Sequence, residues 1–476
     1  MVTGLSVSGP PFRWYGASAF GRLRAAIAAL VMIGLLAGCV PQEGGSALFS
    51  PQTHSGQAPL DPVATPDQDR AALTATYVLD GTYLGDWEAA LRKDTAIGQV
   101  ALEANRMSIE RSPTLFALRA AEAESAAERA AWFPRIRPVA SLGAGSVGPG
   151  VGISVTQMIY DFSQTRTRRE KAEISRAMTE IQFWQERNED VRDALLSYVD
   201  AVEAHEIIAA RQDLEHRLMK LAIQEADRVQ SGVTGQGDTL FLEVSRQENR
   251  RDMIRQQARL TDARARLLRD AGVRLEPAPD LRFAALTGAC QTPQARDHAP
   301  DLMRARLAVE LAMMSEQEAR KNLFPRLVAA ADLTTGTDGA PKDNARIAFE
   351  GGSLIGGGAR LRVEAERQRA LAAERGFTTA RHDLARELER LDIDTRALRN
   401  TLQEYGELVL TTERSLALFK DRFLAGAASI SEAVRLEVER TANLVAIAET
   451  RGAVERNCIE AARLYGALSA ADIDLE

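Results

Sequence analysis

Few residues in this chain are placed to do chemistry. Three cysteines stand at 39, 290 and 458, and five histidines at 54, 205, 216, 298 and 382. The histidines share no helical or ligand spacing, and neither Cys290 nor Cys458 has a CxxC partner, so no metal site is indicated. No serine sits in a nucleophile elbow and no paired carboxylates mark an acid-base centre, which leaves no catalytic residue to name. Gly143-Ala144-Gly145-Ser146-Val147-Gly148 fits dinucleotide-binding spacing by letter, but Pro149 and an alternating segment follow where a helix should open. Gly356-Gly357-Gly358 lacks the Lys and Ser/Thr of a phosphate loop and reads as a flexible join. The expectation is a protein that is not an enzyme and carries no cofactor.

Cys39 is different. Arg13, Arg22 and Arg24 precede an apolar run, Ala25 to Leu36, that is about half the roughly 20 residues needed to cross a bilayer as a helix. Small residues and a cysteine close it, Leu36-Ala37-Gly38-Cys39, as in an export signal. The segment resembles a bacterial lipobox, which implies cleavage before Cys39, diacylation of its sulfur and acylation of its amine. Val40 stands where an inner-membrane retention aspartate often lies. Several acyl chains suffice for stable anchoring. In an oxidising compartment Cys290 and Cys458 form either one disulfide or two separate buried thiols.

The remaining composition is that of a folded protein: 45% hydrophobic, 26% charged, net charge −7. Acidic and basic residues are interleaved, which argues against a nucleic-acid groove.

The elements that must position any site are duplicated. Gln230-Ser231-Gly232 to Arg246 aligns without a gap on Leu424-Ala425-Gly426 to Arg440, sharing Gly232/Gly426, Leu242/Leu436, Glu243/Glu437, Val244/Val438 and Arg246/Arg440. The same offset pairs Arg166, Arg168 and Glu170 with Arg360, Arg362 and Glu364, while Phe133-Pro134-Arg135-Ile136 matches Phe324-Pro325-Arg326-Leu327 with a shift of only a few residues. Each copy predicts a helix (about Ile97 to Trp132; about Asp301 to Leu323) stopped by Phe-Pro, because proline removes an amide donor and disfavours a helical residue before it. Two extended segments follow in each copy: Ile136 to Ala144 with Val151 to Tyr160, and Leu327 to Thr334 with Ala345 to Leu354. Glu350-Gly351-Gly352 interrupts the last of these, and Asp332 sits within its partner, so the second hairpin reads as the weaker membrane segment. Then come proline-free helices from Ser163 to Gln230 and from Gly357 to Leu424, rods of roughly 100 Å at about 1.5 Å per residue. Their apolar positions form a narrow seam, Val191, Leu195, Tyr198 and Val202 in one and Leu384, Leu388 and Leu391 in the other, as coiled-coil packing requires. Returning helices of half that length, Asp238 to Ala271 and Glu432 to Leu468, must stack end to end with the helices before the hairpins to cover each rod. The basic cluster Arg166, Arg168, Arg169, Lys171 reads as the polar face of a helix.

From about Asp86 to Ser469 this pattern resembles the TolC-like outer membrane efflux protein family, in its lipoprotein form. Trp132-Phe133-Pro134, the join Tyr160-Asp161-Phe162-Ser163-Gln164-Thr165-Arg166 and the turns Arg228-Val229-Gln230-Ser231-Gly232 and Arg422-Phe423-Leu424-Ala425-Gly426 carry the resemblance through their order and duplication. It implies a mainly α fold with a small β part: two helix-hairpin-helix repeats, each protomer giving four strands to a trimeric twelve-stranded outer-membrane β-barrel and long helices to a periplasmic α-barrel. The expected organisation is a signal peptide over 1–38, a lipidated flexible tether over 39–75, a first repeat over 76–273, a linker over 274–298, a second repeat over 299–469 and a tail over 470–476. The implied function is the passive outer-membrane channel of a tripartite efflux or type I secretion system. Its implied partners are two further copies, a periplasmic adaptor, an inner-membrane pump of ABC or RND type and the lipid bilayer, without nucleic acid. The alternative is a periplasmic coiled-coil lipoprotein scaffold or adaptor without a pore. The resemblance also puts a gate at the tip turns, Gly232 and Gly426, with Asp238, Phe423 and Glu432 as its residues. Arg435 stands where some members carry a second carboxylate, so the expected cation-selective ring on Glu432 is weakened, or these are solvated turn charges.

Overall fold

A computed structural model describes residues 96–141, 150–230, 236–274, 299–336, 341–352, 357–424 and 428–468, all within one unit, Arg70–Glu476. The signal, the tether, Cys39, Gly232, Cys290 and Gly426 lie outside the described residues.

The first repeat runs α1 (Ala96–Arg111), α2 (Pro113–Arg129), a 3-10 turn (Ala130–Trp132), β1 (Arg135–Ser141), β2 (Gly150–Tyr160), α3 (Gln164–Gln230) and α4 (Gln236–Ala271). The second runs α5 (Pro300–Lys321), β3 (Arg326–Gly336), β4 (Pro341–Glu350), α6 (Gly357–Leu424) and α7 (Ile430–Leu464). The helix expected from Ile97 to Trp132 is two helices. Ser112 accepts from the amides of Thr114 and Leu115 and Pro113 occupies the first helical position, so a new helix starts where the old one would have continued.

At 67 and 68 residues, α3 and α6 are rods of roughly 100 Å. They are not equivalent. α3 is the spine of the protomer, packing against α1, α2, α4, α5 and α7, whereas the extended partners of α6 are α5 and α7. The main core follows from this: Val191, Leu195, Tyr198 and Val202 of α3 are fully buried among Ile97, Val100, Ala263, Leu267 and Ile459. Buried Asn188 of α3 fastens the end of α7, donating to the Arg463 carbonyl (2.7 Å) and accepting from the Leu468 amide (3.0 Å). Such bonds matter because a polar group left unpaired in a core costs about 1–3 kcal/mol. No helix among the described residues is long and apolar enough to cross a membrane.

The strands form one antiparallel sheet, ordered β1-β2-β3-β4, so the two hairpins pair through β2 and β3 and the outer edges of β1 and β4 are open. The second hairpin differs from its expected form. β4 begins at Pro341, not Ala345, and runs unbroken to Glu350; Gly351 and Gly352 follow the strand instead of interrupting it. Arg346, Ile347, Ala348 and Phe349 stay paired with β3, and the glycines act as the breaker signal at the strand's end, both in left-handed backbone (φ 72° and 82°).

Candidate functional site

Directly opposed residues of an antiparallel sheet point to one side, so the register sorts its side chains. On one face lie Ile136, Pro138 and Ala140 of β1, Val151, Ile153 and Val155 of β2, Leu327, Ala329, Ala331 and Leu333 of β3, and Ala345, Ile347 and Phe349 of β4. Ile136, Val151, Ile153, Ile347 and Phe349 of this apolar face are each more than half exposed. The other face carries Arg135, Arg137, Ser154, Thr156, Arg326, Asp332, Thr334, Asn344, Arg346 and Glu350. Asp332 therefore does not weaken the apolar surface. It belongs to the polar face, where its carboxylate accepts from the Ser154 hydroxyl at 2.5 Å and lies 3.7 Å from Arg346.

The join from β2 to α3 explains the motif that spans it. Phe162 and Ser163 both take left-handed backbone (φ 52° and 63°), a costly conformation held by its surroundings. Asp161, buried, accepts from the Thr165 amide at 2.6 Å and so caps α3. Gln164 donates to the carbonyls of Lys321 (3.0 Å) and Phe324 (2.9 Å), tying the first repeat's long helix to the second repeat's Phe-Pro stop. The Phe162 ring stacks on Phe324 at 5.0 Å and meets Tyr160 edge-on at 4.8 Å. In the second repeat Gly351 and Gly352 take the left-handed turn, and a Cβ on Gly352 would meet the Pro325 nitrogen at 2.7 Å.

Below the join each member of the basic cluster faces a carboxylate: Arg166 with Glu170, Arg169 with Glu173, and Arg168 and Lys171 both with Glu318 of α5. Further down, ion pairs accompany the apolar contacts. Asp200 receives both Arg266 of α4 (2.9 Å) and Arg456 of α7 (3.0 Å). Asp213 receives Arg217 and, from α7, Arg440, which also reaches Glu413 of α6. Burial pushes the Asp213 carboxyl up, but the two guanidinium groups outweigh it and hold the acid below the usual carboxylate range. Glu215 is held low in the same way, against burial, by Arg246 and Arg250. For Glu203 and Glu437 burial wins: both are pushed up, and Arg456 and Arg217 only partly offset it.

At the tip the structure brings Phe423, Glu432 and Arg435 into contacts within the protomer. The guanidinium of Arg228, in the last turn of α3, lies over the Phe423 ring of α6, which stacks in turn on Phe419. Glu432 in the first turn of α7 is 3.6 Å from Arg422, and Arg435 lies over Phe241 of α4. Asp238 stands in the first turn of α4 with no ion-pair partner among the described residues. Arg422 and Phe241 are not in the expected tip set. Their partners lie on other helices, and no local pattern announces them.

Cys458 is fully buried in the main core and disulfide-bonded. No group of metal-binding side chains is present among the described residues.

No protein-family model matches the chain, and no curated protein matches it. Solved structures do. CusC, studied for folding and transmembrane channel formation, superimposes with a TM-score of 0.67 at 15% identity, over 87% of this chain and 98% of its own. The CmeC outer membrane channel of Campylobacter jejuni gives 0.65 at 12% identity, over 88% and 94%. The MtrE outer membrane channel of Neisseria gonorrhoeae, in its open state, gives 0.63 at 15% identity, over 78% and 88%. Two repeats of long helices around one four-stranded sheet are thus a shared architecture: the chain has the fold of the outer-membrane efflux channels.

Proposed function

We propose that the chain is one protomer of a trimeric outer-membrane conduit that passively exports solutes delivered from the inner membrane. The observation that carries this reading is the sheet: one apolar exposed face, one polar face, and two open edges on β1 and β4. An unpaired backbone amide in hydrocarbon costs several kcal/mol, so a sheet in lipid must close on itself, and four strands are too few to do so alone. Three copies joined β4 to β1 supply twelve strands, with the apolar face toward lipid and the polar face around a lumen. The strands, at 7 to 11 residues, are near the length that tilted spanning strands need.

The helical body supports the same closure. α4 and α6 share no extended contact, and they expose Leu240, Val244 and Ile254 on one, Leu361, Ile393, Leu410 and Leu418 on the other. Packed copy against copy, these edges make a tunnel wall. A pore-free periplasmic scaffold would have no use for an apolar sheet face.

The rest of the reading extends this one. Cys39 is the lipid anchor and Cys290 the partner of Cys458. The tip around Gly232 and Gly426 is the gate, with Asp238, Phe423, Glu432 and Arg435 at its opening, and an adaptor docked there couples the conduit to an ABC or RND pump. Opening separates Arg228 from Phe423 and Arg422 from Glu432. The first test is the oligomeric state and conductance of the protein extracted in detergent from the outer-membrane fraction. A conducting trimer is expected; a monomer, or a trimer that never conducts, removes the proposal.

A further inference from the structure

The polar face of the sheet is strongly uneven in charge. Its described side chains include four arginines, Arg135 and Arg137 on β1, Arg326 on β3 and Arg346 on β4, against two carboxylates, Asp332 and Glu350. β2, between them, adds Gly152, Ser154, Thr156 and Met158 to this face and no charge. Asp332 is committed to Arg346 and Ser154. Arg326 lies opposite Glu350 in the register but forms no ion pair with it, and Arg135 and Arg137 have no carboxylate partner among the described residues. Among the described side chains the apolar face carries a single charged residue, Asp343, near the far end of the hairpin. Whichever arginine Glu350 meets across a β4-to-β1 seam, two carboxylates leave two guanidinium charges per protomer unbalanced.

Position sharpens the effect. Arg135 and Arg326 are the first strand residues after the two Phe-Pro stops, so the duplication places them at equivalent points where tunnel passes into barrel. Arg137 follows one inward step along β1. The basic residues just below, Arg166, Arg168, Arg169 and Lys171, each face a carboxylate, with Glu318 shared by two of them and Glu173 shared with Arg129, and Glu432 at the tip faces Arg422. On the sheet, by contrast, Arg135, Arg137 and Arg326 form no ion pair among the described residues.

On the reading that this face lines a lumen, we infer that Arg135, Arg137 and Arg326 form a cationic collar at the barrel entrance that favours anionic solutes, those bearing carboxylate, phosphate or sulfate groups. A cleft of one charge sign between low-dielectric walls concentrates the opposite ion, and guanidinium groups present paired donors to oxyanions. The collar sets the conduit's ionic preference against the cation selectivity that Glu432 alone would give.

The test is the reversal potential of purified trimers in planar bilayers under a potassium chloride gradient. Wild type is expected to reverse toward the chloride equilibrium potential. The triple variant Arg135→Gln/Arg137→Gln/Arg326→Gln should lower the chloride-to-potassium permeability ratio about threefold or more near 0.1 M salt, an effect that fades in 1 M salt, where charges are screened within about 3 Å. The corresponding triple Lys variant, with charge kept, should reverse as wild type does. If the Gln triple forms no trimer, Arg137→Gln alone is read in the same way, and the wild-type sign is informative by itself. A conducting wild type that prefers potassium, or a ratio the Gln variants leave unmoved, overturns the collar while the conduit stands. A wild-type trimer that never conducts overturns both.

Discussion

The guanidinium of Arg228 lies 4.5 Å from the centre of the Phe423 ring, joining the last turns of the two long helices, α3 and α6, at the tip. A partly exposed cation–π interaction of this kind is worth about 0.5–1 kcal/mol. Arg228→Ala or Phe423→Ala should therefore raise the open fraction of single channels about two- to fivefold for each protomer whose tip no longer holds this pair. Conductance records of trimers in bilayers check this, and an unchanged open fraction in both variants would remove the pair from the gate.

The two faces of the sheet should respond oppositely to the same substitution. Ile153→Arg puts a charge on the apolar face and should destabilise the folded trimer by about 2–4 kcal/mol if it lies near the bilayer midplane, whereas Thr156→Arg on the polar face should cost less than about 1 kcal/mol. Denaturant unfolding in lipid or detergent measures both. Equal losses would contradict the assignment of faces.

Gly352 is left-handed (φ 82°) and packs against the Pro325 backbone, while Gly351 is left-handed (φ 72°) in open space. Gly351→Ala carries only the conformational cost, about 1–2 kcal/mol. Gly352→Ala adds a clash that backbone movement must relieve, so its trimers should melt at a clearly lower temperature than those of Gly351→Ala. Comparable melting would mean the Phe-Pro stop of the second repeat yields easily.

Acid should act on the helical body in two stages. Glu203 and Glu437 are pushed up by burial, so their contribution to stability is complete below the ordinary carboxylate range and is lost as pH rises through their raised values. Mild acidification from neutrality thus strengthens their packing. Asp213 and Glu215 are held low, so theirs is present above about pH 4, the ordinary range, and is lost as pH falls through their lowered values. Denaturation against pH should show an acid limb that flattens in Asp213→Asn/Glu215→Gln. An identical limb in the variant would deny these pairs a role.

Cys458 is buried and bonded, so reduction should cost about 2–4 kcal/mol of stability. With Cys290 as its partner, the denatured, unreduced protein shows no free thiol, and Cys290→Ser shows one. Two free thiols in the wild type would exclude that pairing.

The duplication, the proline stops, the rods and the half-length return helices are legible in the sequence because they depend on neighbours along the chain: periodicity, a missing amide, the rise per residue. The burial of Val191, Leu195, Tyr198 and Val202 follows from their spacing. The Ser112-Pro113 break carries a readable signal, a capping serine before a proline, that a long Ala- and Glu-rich stretch obscures. The side on which Asp332 lies, the unbroken course of β4, the coupling of Gln164 to Phe324 and the pairing of Arg228 with Phe423 are not legible. Each depends on which strand or helix comes alongside, between residues far apart in the chain, and a single residue of register moves a side chain to the opposite face. The identity and order of the elements are therefore written in local pattern, whereas the charged face of the sheet and the helices that meet at the tip emerge only on folding, because both are properties of one element set against another.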